Sequence, residues 1–456
     1  MTETTGDARA PGHSAAPDEP VETPRAWYAV FIFSLALMMN FVDRGIINLL
    51  VEPIKQDLQV SDTEISLLVG FAFVLFQIFV GLPLARLVDT KSRRLILGLS
   101  IAGWSGMTAV CGLTQTYWQL FLARIGSGIG EAANGPATFS MLSDLFPKHR
   151  LPRAIAVMQL GFASGQGLSL LLGGVLFAWL SMYAPYQAGV FGELKAWQMT
   201  FIVIGLPGLL IALLMATVRE PKRHGQIKSA AGASEALPVR EVARFLHANG
   251  RTYYPLFIGM GLKTVLSFGY GTWIPAFYIR TFDWSLAKVG WVQGGIMLLV
   301  WPVALFCGSF LAEHWAKKGR DDANMRVVLF ATWAAVPFSI LYPLMPVDWL
   351  AAVMVGVFYF FAMMVPGPQN AAMQVVSPNQ MRGQVMALYL FVFNIIGFGL
   401  GPTVVALFTD VVFGDPADLK YAMALAASII GPIAGLLFWY GLKPYARSVA
   451  RAREWS

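Results

Sequence analysis

Long apolar runs separated by short polar stretches dominate this chain. Twelve of them lie at about 26–50, 64–88, 94–114, 118–146, 152–180, 198–219, 251–280, 288–316, 325–346, 348–377, 381–410 and 418–443. Each reaches the roughly 20 residues that a helix needs to cross the hydrocarbon core of a bilayer. The pattern predicts an all-α membrane protein of twelve transmembrane helices. A polar stretch at 220–250, containing Lys222, Arg223, Lys228, Arg240 and Arg244, divides them into six plus six, the layout of a duplicated transporter. A weak internal echo supports the division. Gly81, Asp89, Arg93 and Arg94 join the second and third runs, as Gly308, Glu313, Lys317, Lys318, Gly319 and Arg320 join the eighth and ninth. Pro147, Lys148 and His149 open the fifth run, as Pro378, Asn379 and Gln380 open the eleventh. The expected organisation is a disordered tail at 1–24, one bundle at 25–219, a linker at 220–250, a second bundle at 251–443 and a tail at 444–456. The first apolar run is too long for a signal-peptide core, so no signal peptide is expected.

Composition agrees. Of 456 residues, 56% are hydrophobic and 13% are charged, about half the charged share of a soluble protein. The 44 glycines and 26 prolines suit membrane helices. A soluble enzyme, a disordered chain and a collagen-like fibre are excluded. The net charge of +7 is explained by topology. With a cytoplasmic N-terminus, 24 of the 33 Lys and Arg fall in tails and cytoplasmic loops. The outer loops hold five, Lys55, Lys195, Arg280, Lys288 and Lys420. That bias follows the positive-inside rule. It predicts a multi-pass cell-membrane protein with both ends cytoplasmic, and no nucleic-acid partner. Cys111 and Cys307 lie in apolar runs, with no CxxC pair, and read as inert small hydrophobes.

An ionisable side chain in hydrocarbon costs a few kcal/mol or more unless paired or solvated. The deep carboxylates are Asp43 in the first helix and Glu131 in the fourth; the deep bases are Arg44, Arg124 and Lys263. None of the five histidines lies mid-membrane, so a proton relay has to use carboxylates. Arg124 and Glu131 are seven residues apart, on one helix face and roughly 10 Å from each other. Asp43 can approach that face and share Arg124 with Glu131. Moving the guanidinium would then switch a carboxylate between holding and releasing a proton. The alternative is a static ion pair that tethers helices 1 and 4. Arg44 points roughly 100° away from Asp43, either into a cavity near an anionic substrate group or onto a neighbouring helix. Lys263 attracts an anionic head group, or else snorkels or pairs with a carbonyl. Asn134, Gln166, Tyr270, Asn370 and Asn394 are candidate cavity linings or interhelical hydrogen-bonding groups.

Glycines cluster at 126, 128 and 130, at 161, 165, 167, 173 and 174, and at 397, 399 and 401. Such spacing suits helices that touch and slide, or simply close packing. The chain lacks a GxxxxGK[ST] phosphate loop, since Gly259 to Thr264 has no Gly-Lys pair, and it lacks HExxH and GxSxG. It therefore reads as neither an enzyme nor an ATP-driven pump, and no cofactor or metal is expected.

Gly81 to Arg94 resembles the signature loop of the major facilitator superfamily, with Asp89, Arg93 and Arg94 as the gating motif. Arg86 and Ser92 stand where glycines are usual, and Thr90 where Arg is usual. Arg124 to Ala132 resembles the proton-linked motif of that superfamily's fourth helix. Two strings are similar to the superfamily's spinster branch: Asn40 to Arg44, and Gly128 to Ala132 with Pro136, Ser143, Asp144 and Phe146. The resemblance implies a major facilitator fold of two six-helix halves, with Asp43 and Glu131 as protonation sites and Arg124 as their partner. It implies a proton-coupled transporter of an amphipathic anionic lysolipid, working by alternating access as a monomer. The Asp-Arg pair at 43–44 also resembles proton-coupled small organic-anion symporters of the superfamily, the second expectation.

Overall fold

The computed structural model of the chain describes residues 23–147, 150–189, 192–221, 238–378 and 380–452. The expected tail up to residue 22, most of the expected linker, and Lys148, His149 and Asn379 of the paired loops lie outside the described residues. Ten helices among the described residues are long and apolar enough to cross a membrane. The other two crossings are broken helices. The fourth consists of Tyr117–Glu131 and Asn134–Leu145, interrupted at Ala132 and Ala133. The seventh consists of Gly250–Thr264 and Tyr270–Phe282 around a π-helical turn, Val265–Gly269.

The first span is Pro24–Leu49, capped by the Thr23 hydroxyl. The second runs from Asp62–Ser66 through a π turn, Leu67–Phe71, into Ala72–Thr90. The third is Arg93–Cys111, the fifth Leu151–Ser181 and the sixth Ala196–Met215. The eighth and ninth are Leu286–Lys317 and Ala323–Leu341. The tenth is Asp348–Met363 followed by Pro366–Val376. The eleventh begins as Arg382–Phe393 and passes through a π turn, Asn394–Gly399, into Gly401–Leu407. The twelfth is Leu419–Ala452.

Two expected boundaries move. The tail expected from residue 444 is helical to Ala452, because Tyr445, Ser448 and Val449 are buried and the Ser448 hydroxyl bonds Thr252 at 2.9 Å. Within the expected linker, Val239–Ala248 forms an amphipathic helix whose Val242 and Leu246 are buried.

The outermost described residues, Thr23 and Ala452, lie on one side of the molecule, here the terminal side; the opposite face is the far side. The halves meet mainly toward the far side. There the first span packs on Tyr270–Phe282, the second on the eleventh, and the fifth on the eighth. On the terminal side, Asn134–Leu145 and Pro366–Val376 pack on helices of their own halves. The bundle is therefore shut on the far side and parted on the terminal side.

Glycines permit the closest of these approaches. A methyl group at Gly294 would sit 2.6 Å from the Gly167 carbonyl oxygen, and one at Gly70 would sit 2.6 Å from that of Gly399. Gly294→Leu is expected to wedge the fifth and eighth spans apart and cost about 1–3 kcal/mol, as core overpacking does. Thermal unfolding of the purified protein measures it. The neighbouring Gly295→Leu is the control, since a Cβ there meets nothing within 4 Å. Equal stability of the two variants would remove the packing argument.

Candidate functional site

The parted side leads into a cavity of about 330 Å³ in the first half. Its walls are apolar along Phe33, Leu37, Phe139, Met158 and Phe162, and its polar groups are Asn40, Arg44, Gln77, Glu131, Asn134, Thr138 and Gln159. A smaller central cavity of about 70 Å³ includes Arg44, Asn48, Arg124, Gln166 and Thr272 in its lining. Arg44 and Phe41 line both, so this guanidinium stands at their junction.

Arg44 is held there by Glu131. Its Nε donates to Glu131 Oε2 at 2.6 Å and its Nη2 lies 2.6 Å from the same oxygen. The carboxylate side chain is 1% exposed and the guanidinium 23%. The sequence expectation paired Glu131 with Arg124; the long Arg44 side chain crosses from the first span and takes that place. Arg124 is near but not bonded to Glu131, as a separation of about 10 Å along one helix requires. Both guanidiniums lie against Phe73, with Arg44 Cζ 4.5 Å and Arg124 Cζ 5.1 Å from the ring centroid.

Asp43 is 1% exposed, and neither carboxylate oxygen has a hydrogen-bond partner. Its electrostatic neighbours are Glu131 and Arg124, with the Thr108 hydroxyl beside it but outside hydrogen-bonding geometry. Arg124 Nε and the Thr108 hydroxyl are also buried without partners. Unsatisfied buried polar groups are costly and concentrate where function needs them. Asp43, Thr108 and Arg124 thus form an under-satisfied knot next to a satisfied pair.

The other predicted linings separate. Asn134 and Gln166 line the cavities. Lys263 does not: it is buried, and its Nζ donates to the Ala362 carbonyl at 2.7 Å. The carbonyl alternative therefore describes it. Tyr270 is also away from the cavities; it is buried in an aromatic cluster with Tyr342 and Phe358, its hydroxyl donating to the Met423 carbonyl. Asn394 donates to the Leu390 carbonyl of its own helix at 2.8 Å, and Asn370 is exposed.

On the terminal side, Arg93 is buried and bonds the Asp144 carboxylate, the Ser140 hydroxyl at 3.0 Å and the Pro221 carbonyl at 2.9 Å. Arg94 donates to the Ala216 carbonyl at 3.3 Å, while the side chain of Asp89 lies outside the described residues. Asp144 stands in one of the strings read above, yet its pairing with Arg93 was not foreseen. Glu220 accepts from the Ser92 hydroxyl and from the Arg93 backbone N–H. Partial burial pushes its carboxyl up, but these bonds and the Arg93 charge hold it below the usual range. It therefore stays ionised as pH falls through the ordinary glutamate range, near about 4.3, and this knot persists there.

The far-side seal has no counterpart in the sequence expectations. Arg280, at the end of the seventh span, donates to Glu52 Oε1 at 2.7 Å and to both Asp62 oxygens at 2.7 and 2.8 Å. Lys55 reaches Asp62 at 2.7 Å. Beside them, Asp410 accepts from the Thr63 N–H and hydroxyl at 2.7 Å. The Arg280 and Asp410 bonds join the two halves across the closed face. The available signal was charge: Lys55 and Arg280 are two of the five bases in the loops that the sequence leads one to expect as outer.

Two six-helix halves around a mid-membrane polar cavity, sealed on one side, define a secondary transporter. The pattern of the Major Facilitator Superfamily matches residues 33–402, and the chain belongs to that superfamily. It is 27% identical over 435 residues to an MFS-type efflux pump of Mycolicibacterium smegmatis, covering 93% of this chain and 94% of that protein. It is 25% identical over 256 residues to the sphingosine-1-phosphate transporter SPNS2 of Danio rerio, 55% of this chain and 47% of that protein. Its fold matches a bacterial homologue of the human lysosomal transporter Spinster, solved inward-facing and unoccupied. The TM-score is 0.79 at 22% identity, over 95% of this chain and 99% of that one.

Proposed function

We propose that this chain is a proton-coupled secondary transporter that moves an amphipathic anionic lysolipid, or a related lipid, by alternating access. One observation carries the proposal: the Arg44–Glu131 pair, its carboxylate buried and its guanidinium part-exposed, closes the inner end of a cavity whose walls are otherwise largely apolar. That cavity suits a molecule with an apolar tail and an anionic head. A phosphate or carboxylate competes with Glu131 for the Arg44 guanidinium, a fork built for either. A carboxylate that loses its partner in such a site cannot remain charged cheaply, so it takes up a proton. Substrate and proton occupancy are linked in this way. Asp43 and Arg124 are the second coupling pair, and Asn134 and Gln166 contact the head group. The Danio rerio relative's named substrate, a phosphate-bearing amphiphile, supports the same class. The bias of Lys and Arg supports the terminal side as cytoplasmic.

Substrate-evoked proton flux in liposomes tests the proposal, with a lysophospholipid panel beside small organic anions. Flux evoked by lysolipids and lost in Glu131→Gln is the expected result. Flux evoked by small anions alone would transfer the function to the organic-anion symporters.

A further inference from the structure

We propose that a groove on the outer surface of the second half, where the eighth span ends and the ninth begins, binds the headgroup of an anionic phospholipid. The groove measures about 330 Å³ and is lined by Trp315, Arg320, Arg326, Leu329, Phe330 and Trp333. It lies away from the transport cavity and is independent of the substrate reading.

Local structure builds the site. Gly319, at φ 77°, turns the chain after the eighth span, and the Arg320 N–H donates to the Trp315 carbonyl at 3.2 Å. This turn ties Arg320 to the end of the eighth helix. Trp315 and Phe330 meet edge to face at 6.4 Å and join the two spans behind the groove. Asp322 holds Arg326 through two bonds, Nη2 to Oδ2 at 2.5 Å and Nε to Oδ1 at 3.2 Å. Three of its five N–H groups remain. Among the described residues the Arg320 side chain has no ion-pair or hydrogen-bond partner.

The occupant follows from position and charge. Phe330 and Trp333 are 46% and 41% exposed on a helix that crosses the bilayer, so lipid covers them. Tryptophan sits at headgroup level, and basic pockets between helices take lipid phosphates. Two guanidiniums in one groove suit a phosphodiester, which accepts their paired N–H groups. A choline headgroup would place a further cation beside Arg320 and the exposed Lys318, so the site selects a net-anionic lipid such as phosphatidylglycerol.

Native mass spectrometry of the purified full chain, titrated with phosphatidylglycerol, phosphatidylcholine or inorganic phosphate, tests this. The wild type is expected to retain phosphatidylglycerol over phosphatidylcholine, and millimolar inorganic phosphate is expected not to displace it. Arg320→Ala should lower phosphatidylglycerol affinity about fivefold, the effect of one basic contact near a membrane surface. Trp333→Ala keeps both charges and should also lower it, by removing the apolar wall. Equal retention of the two lipids by the wild type overturns the proposal, as does unchanged affinity in both variants. Displacement by inorganic phosphate overturns the lipid assignment. Should Arg320→Ala fail to fold, the lipid preference of the wild type and the Trp333→Ala comparison still decide.

Discussion

Arg44→Ala is expected to lower substrate-evoked proton flux at least about a hundredfold. Glu131→Gln should do the same, and the double variant should be no worse than either. Removing one partner of a buried ion pair typically costs about 3–5 kcal/mol, because the other charge is left uncompensated; each 1.4 kcal/mol is a factor of ten. The geometry favours the upper part of that range, since Glu131 is almost fully buried and both Arg44 contacts fall on one of its oxygens at 2.6 Å. Groups that act as one unit give strongly non-additive effects, which the double variant reads directly. Proton flux in liposomes, with thermal unfolding beside it, provides the cycle. If both single variants keep flux within a few-fold of wild type, the pair is only a tether between the first and fourth spans.

The second large effect concerns the far-side seal. Arg280→Ala removes three charge-assisted bonds to Glu52 and Asp62, from a guanidinium that is 7% exposed. Hydrogen bonds to charged groups are worth about 1.5–3 kcal/mol each, though not additively. A net loss of about 3 kcal/mol would move the equilibrium between the two open states by roughly a hundredfold. Asp62 keeps Lys55, which leaves the first half intact. Spin labels at the exposed positions Gln56→Cys and Ala417→Cys report the change. The expected outcome is a second, longer distance population in Arg280→Ala. An unchanged distribution would assign the closure to Asp410, Thr63 and the glycine contacts instead.

The sequence located the twelve crossings within a few residues, including the two that break. It failed at the ends, where the signal is packing. Residues 444–452 carry two charges, Arg447 and Arg451, and the polar Ser448, yet they stay helical because Tyr445 and Val449 are buried against the second half. Asp43, Arg44, Arg124 and Glu131 were legible as a group, because these charges lie deep inside two long apolar runs. Tyr270 and Lys263 stood out in the same way and proved to be satisfied by single backbone carbonyls. A polar group in hydrocarbon advertises only that it needs a partner; its sequence does not say whether the partner is a substrate, another side chain or a carbonyl.

The division of information has a physical cause. Hydropathy, the six-plus-six layout and the charge bias are properties of consecutive residues in contact with one solvent, so the chain alone carries them. Pairing is decided across helices. Arg44 of the first span reaches Glu131 of the fourth across the bundle, and Phe73 of the second span offers its ring to both guanidiniums. Arg280 meets Glu52 and Asp62 only because the halves have closed over the far side, more than 200 residues apart in sequence. Which charges meet, and on which face the bundle is shut, were decided by tertiary structure.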